Sequence, residues 1–163
     1  MILNNKKKYF LIIGIIIFLD QISKFVIKTN FNIYDNIKIF KGFFQLFYAP
    51  NSGAIWGIFH NQSNTIIPKI ITIISVIAVL ILIFFFLKVK SNHKLELTSL
   101  SFIIGGAIGN IIDRIYQGFV VDFLDFYIKD YHWPTFNIAD SFITIGVVIL
   151  AISIWKGEKS LKT

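Results

Sequence analysis

Residues 66–87 read IIPKIITIISVIAVLILIFFFL, a run whose only ionisable side chain is Lys69. A helix needs about 20 predominantly apolar residues to cross a hydrocarbon core roughly 30 Å thick, and this run meets that length with no polar stripe to face water. Working outward, three more such runs appear, each polar at one end: 9–27 holds Asp20, Gln21 and Lys24, 95–115 holds Asn110, Asp113 and Arg114, and 138–155 holds Asp140. The expected fold is an all-α membrane protein with four transmembrane helices, forming a single integral membrane domain over residues 1–163.

Composition agrees. Apolar residues make up 55% of the 163 and aromatic residues 17%, and the mean hydropathy is +0.70, well above an ordinary soluble domain. With no cysteine, disulfides, iron–sulfur clusters and thiolate nucleophiles are excluded. The net charge of +7 would suggest nucleic acid in a soluble chain, but here the lysines flank apolar runs, so no nucleic-acid partner is expected.

Those lysines set the orientation. Lys6, Lys7 and Lys8 precede the first run, Lys88, Lys90 and Lys94 fill the short connection after the second, and Lys156, Lys159 and Lys162 follow the fourth. The positive-inside rule places all three segments, and both termini, in the cytoplasm. Lys28, Lys38, Lys41 and Lys129 fall on the other side, where the longer 28–65 connection weighs less per charge. The N-terminal run resembles a secretory leader in its lysines, but Asp20-Gln21-Ile22-Ser23-Lys24 offers no small-residue cleavage site, so a retained helix is expected. Between the first two spans, Ile37 to Tyr48 is rich in Ile, Phe and Tyr with Lys, Gly and Gln interspersed and is bounded by Asn36 and by Pro50-Asn51-Ser52-Gly53, which predicts a small extracytoplasmic β-sheet between helices 1 and 2.

An ionisable residue at membrane depth costs at least about 2.5 kcal/mol, so each needs a physical reason. The orientation gathers Asp20, Asn110, Asp113, Arg114, Asp122 and Asp140 at the outer side, where one polar site accounts for them all. Asp20 and Lys24, four apart, are expected to form an intrahelical ion pair, either for its own sake or also to brace a neighbouring loop. Asp113 and Arg114 are expected to neutralise each other, and Gly105, Gly106 and Gly109 to allow close helix approach. Asn137 can cap the fourth helix with Asp140 in its first turn.

Asp122 follows the third span and Asp140 opens the fourth, so topology brings them to one face. Two neighbouring carboxylates share a proton, one acting as acid and the other as base toward water. Asp125 competes with Asp122 for this role on physical grounds alone. No His-Glu-x-x-His run, Gly-x-Ser-x-Gly turn or phosphate loop is present, so no metal centre and no cofactor is expected.

Five stretches in order, Asp20-Gln21-Ile22-Ser23-Lys24, Asn51-Ser52-Gly53-Ala54-Ile55-Trp56-Gly57, Gly105 to Arg114, Val120-Val121-Asp122-Phe123 and Phe136-Asn137-Ile138-Ala139-Asp140-Ser141, resemble the motifs of the lipoprotein signal peptidase (signal peptidase II) family. The resemblance implies an aspartic endopeptidase that removes signal peptides from diacylglyceryl-modified prolipoproteins, cutting just before the lipidated cysteine. It selects Asp122 and Asp140 as the catalytic pair over Asp125 and Asp113. Around the site it implies supporting roles for Asp20, Lys24, Asn51, Gly53, Asn110, Arg114, Asn137 and Ala139. Ile55 departs from the pattern, standing where the family often has a small residue. The implied setting is the bacterial cytoplasmic (inner) membrane, with the site at the extracytoplasmic face, membrane lipid and the prolipoprotein as partners, and a monomeric chain. A small ion- or proton-coupled transporter using the same aspartates is the alternative.

Overall fold

The computed structural model describes residues 6–53 and 66–160, the last four of these by their backbone alone. Ala54, Ile55, Trp56 and Gly57 of the second motif lie outside the described residues. The elements run α1 (Lys7–Asn30), β1 (Asn36–Phe40), β2 (Phe44–Asn51), α2 (Ile66–Lys88), α3 (Lys94–Gln117), β3 (Val120–Ile128), β4 (Tyr131–His132) and α4 (Ile138–Ser160). Four helices among the described residues are long and apolar enough to cross a membrane. α1 continues past the apolar run to Asn30, where Thr29 Oγ1 donates to the Phe25 carbonyl at 3.0 Å and Asn30 Nδ2 to that of Val26 at 2.8 Å.

Many large apolar side chains point outward, among them Ile73 and Ile74 on α2 and Val147 and Val148 on α4. A helix apolar on its outer face is solvated by lipid rather than water. α3 is the most enclosed of the four and packs against each of the others. It carries the glycines: a Cβ on Gly106 would strike the Ala139 carbonyl of α4, and one on Gly109 would lie 2.5 Å from Asp20 Oδ2 of α1. Small residues here bring polar groups of three helices within hydrogen-bond range.

At the lysine-rich end, Tyr9, Phe86, Leu97, Leu100 and Ile104 form one buried cluster. Lys6 Nζ donates there to the Phe86 and Leu87 carbonyls at 2.7 and 3.0 Å, satisfying two acceptors that the C-terminus of α2 leaves open. At the other end Ile27, Tyr48, Val121 and Phe123 seat the sheet on the helices.

The sheet is larger than the 37–48 segment predicts. Its order is β1-β2-β3-β4, so half of it comes from the connection between α3 and α4. β2 and β3 pair antiparallel, with Asn51 opposite Val120, Pro50 opposite Val121 and Ala49 opposite Asp122. A register shift between Leu46 and Ala49 marks the kind of bulge that bends a strand and re-aims side chains next to functional sites. Asn51 and Asp122 consequently meet where the sheet joins the helices.

Candidate active site

Five separate elements converge here. Asp122 is held by two amides: Asn51 Nδ2 donates to its Oδ2 at 2.8 Å, and Asn137 Nδ2 to its Oδ1 at 2.7 Å. Asn51 can aim its amide this way because its Oδ1 accepts from the Gly53 N–H at 2.8 Å, a turn in which Gly53 has φ +85°. That left-handed backbone is one that only glycine adopts cheaply.

Asp140 occupies the first turn of α4. Its backbone N–H donates to Asn137 Oδ1 at 2.9 Å, while its own Oδ2 accepts from the Asn137 N–H at 3.3 Å. This reciprocal arrangement is a capping box, as the Asn137 to Asp140 spacing predicts. Asn110 Nδ2 donates to Asp140 Oδ1 at 2.8 Å, and Asn110 Oδ1 accepts from Asn137 Nδ2 at 3.1 Å and Lys24 Nζ at 2.9 Å. Asn137 and Asn110 thus tie the two aspartates into one network, each carboxylate accepting two hydrogen bonds and keeping lone pairs open.

Beneath lies a buried ionic layer. Lys24 contacts Asp20 at 2.8 Å and Asp113 at 3.0 Å. Asp20 is the i,i+4 partner that the spacing predicts, and it also braces the neighbouring segment by accepting the Ala139 N–H at 3.0 Å. Asp113 accepts the Val121 N–H at 3.0 Å, so it anchors β3 one residue before Asp122. The expected Asp113–Arg114 neutralisation is not found. Adjacent helical residues point about 100° apart, and Asp113 faces Lys24 while Arg114 Nε is buried without a hydrogen-bond partner among the described residues. Arg114 still lies within electrostatic reach of Asp140, Asp122 and Asp113.

Burial is the largest influence on Asp122, pushing its carboxyl up to about 7; the charge of Asp140 adds to this, while the amides of Asn51 and Asn137 and the charge of Lys24 oppose it. Its proton therefore titrates near neutrality, in the range useful for acid–base work.

The structure brings together Asp122, Asp140, Asp20, Lys24, Asn51, Gly53, Asn110, Asn137 and Ala139, with Arg114 at the margin. Asp125 is elsewhere, bound to Gln45 Nε2 at 2.7 Å and to His132 Nδ1 at 2.8 Å. Sequence reasoning assigns no role to one member of the layer, Gln21, whose Nε2 donates to Asp20 Oδ2 and to the Gly109 carbonyl, both at 3.1 Å. Its position beside Asp20 in a span is the signal that marks it.

Apolar helices, a sheet seated on their polar end and a buried network around two carboxylates define an integral membrane protein with a site at one end of its helices. Residues 12–156 match the family described as signal peptidase (SPase) II. The chain is 42% identical over 160 residues to a lipoprotein signal peptidase of Francisella tularensis subsp. novicida, covering 98% of this chain and 99% of that one. It is 39% identical over 139 residues to one of Desulforapulum autotrophicum, covering 85% and 86%. A solved structure described as a bacterial membrane enzyme superposes with a TM-score of 0.77 at 37% identity, over 94% of this chain and 90% of that one. The chain belongs to the signal peptidase II family and is a membrane peptidase.

Proposed function

We propose that the chain is an aspartic endopeptidase of the bacterial inner membrane that removes signal peptides from diacylglyceryl-modified prolipoproteins, cutting just before the lipidated cysteine, with Asp122 and Asp140 as its catalytic pair. The observation that carries this reading is the amide bridge: Asn137 bonds Asp122 through its side chain and Asp140 through both side chain and backbone. Such a bridge holds two carboxylates in fixed relation without neutralising either. The name shared by the relatives supports the substrate class.

The division of labour follows from the surroundings. Asp140 lies at the N-terminus of α4, where the helix dipole favours a negative charge by about 0.3–1 kcal/mol, and accepts from Asn110. Asp122, raised to about 7, holds the shared proton more often. Asp140 takes a proton from a water as its oxygen attacks the scissile carbonyl, and Asp122 donates its proton to the carbonyl oxygen. The tetrahedral intermediate collapses as the pair returns a proton to the departing amine. Asn51, Asn110 and Asn137 hold the carboxylates; Lys24 with Asp20 and Asp113 fixes α1, α3, β3 and α4 around them.

Both termini face the cytoplasm in this proposal, and the sheet with the site faces outward, supported by the lysines at 6–8, 88–94 and 156. The chain acts as a monomer, with the prolipoprotein delivered within the membrane. The deciding experiment is cleavage of a diacylglyceryl-modified prolipoprotein by the purified chain: a new N-terminus at the lipidated cysteine is expected, and an intact precursor beside a folded enzyme rejects the proposal.

A further inference from the structure

On the outer flank of Arg114, a groove of about 520 Å³ opens between the start of α2 and the end of α3, lined by Pro68, Lys69, Thr72, Ile73, Arg114 and Ile115. It combines two chemistries. Ile73 and Ile115 are exposed, so part of the lining is apolar. Lys69 lies in the first turn of α2 and Arg114 in the last turn of α3, so both charged residues of the lining are cationic.

Among the described residues neither cation has a carboxylate within ion-pair distance. Arg114 Nε is, in addition, buried without a hydrogen bond. Two cations converging on one groove raise the local positive potential, and the planar guanidinium presents paired donors suited to a phosphate. A basic residue within a turn of a span's end sits at lipid-headgroup depth. A ligand that satisfies both kinds of lining residue carries a negative headgroup and an acyl chain. The diacylglyceryl group of a prolipoprotein has the chains, but its ester and thioether linkages carry no charge.

We infer that the groove between α2 and α3 binds an anionic phospholipid, its phosphate between Lys69 and Arg114 and an acyl chain running inward along Ile73. The site is separate from the carboxylate pair yet shares Arg114 with its electrostatic surroundings, so an occupied groove places a fixed negative charge on the far side of that guanidinium.

Lipid retention on the purified full chain, measured by native mass spectrometry with phosphatidylglycerol, phosphatidylcholine or inorganic phosphate added, tests this. The parent should retain phosphatidylglycerol over phosphatidylcholine. Lys69→Gln should reduce retention about fivefold, the factor expected for one basic residue at an anionic surface; Lys69→Arg should restore it, and Ile73→Trp, which fills the groove without changing charge, should also reduce it. Equal retention by Lys69→Gln and the parent overturns the inference, as does equal retention of the two lipids. Displacement of the lipid by an equal concentration of inorganic phosphate overturns the assignment to lipid. If Lys69→Gln does not fold, undiminished retention by Ile73→Trp overturns the inference in its place.

Discussion

Asn137 donates one amide hydrogen to Asp122 at 2.7 Å, and the same side chain caps α4 through its carbonyl oxygen. The residue that starts the helix is therefore also the residue that positions a carboxylate on the neighbouring strand. Asn137→Ala removes both functions. A lost cap costs about 0.5–2 kcal/mol of stability, and a buried acceptor left unpaired about 1–3 kcal/mol. Thermal unfolding in detergent should show the first effect, and kcat should fall roughly tenfold or more with little change in KM, since the amide acts on the pair rather than on bound substrate. A KM effect alone would assign Asn137 to substrate binding.

Carboxylate identity is tested by three isosteric changes. Asp122→Asn and Asp140→Asn each keep the shape and remove a titrating group, and both should lose cleavage by orders of magnitude while retaining substrate binding. Asp125→Asn should cleave at near the parental rate, because Asp125 is committed to Gln45 and His132. Parental activity in either of the first two variants refutes the pair.

The pH dependence follows from Asp122. Its folded-state value of about 7 lies above that of an ordinary carboxylate, so between the two values the folded protein holds a proton that the unfolded chain has released. The associated stability is fully present below the ordinary carboxylate range and is lost as pH rises through about 7. Unfolding followed across that window should show this decline, and Asp122→Asn should flatten it. Cleavage should give a bell-shaped profile whose basic limb falls near neutrality and whose two limbs belong to the coupled pair. A rate still rising well above pH 7 contradicts the assignment of Asp122 as proton holder.

Lys24 is buried between Asp20 and Asp113. Lys24→Ala strands two carboxylates, and breaking a buried pair in this way costs about 3–5 kcal/mol. The variant should unfold at markedly lower temperature or fail to accumulate. Adding Asp20→Asn and Asp113→Asn should recover part of the loss; no recovery would mean that packing, not charge, accounts for it.

Topology can be read chemically because the chain has no cysteine of its own. A single cysteine at Ser91, in the connection between α2 and α3, should be shielded from an impermeant thiol reagent in intact cells and labelled after permeabilisation. Labelling in intact cells reverses the orientation.

The helices are legible in the sequence because hydropathy is local: 66–87 announces itself without knowledge of any neighbour. The Asn137–Asp140 cap and the Asp20–Lys24 pair are legible for the same reason, each lying within one helical turn. β3 is harder to read as a strand, although Val120 to Ile128 has the residues for one, because its partner β2 lies 69 or more positions away (Asn51 to Val120) and pairing at that separation leaves no local mark. The partner of Asp113 escapes a sequence reading for a related reason. Its neighbour Arg114 is a convenient counter-charge along the chain, whereas the helix turns the carboxylate toward Lys24 on another span.

Gly109 leaves no space between α3 and Asp20, and Asp20 in turn holds the Ala139 backbone, one residue before Asp140. Those contacts form a rigid linkage whose clearance is set by a hydrogen atom where any other residue has a carbon. A methyl group at position 109 would act as a wedge, prising α1 away and carrying the start of α4 with it. The tolerance of the whole assembly is thus fixed at a position that touches neither of the paired carboxylates, and the smallest enlargement there would misalign them without altering a single polar group.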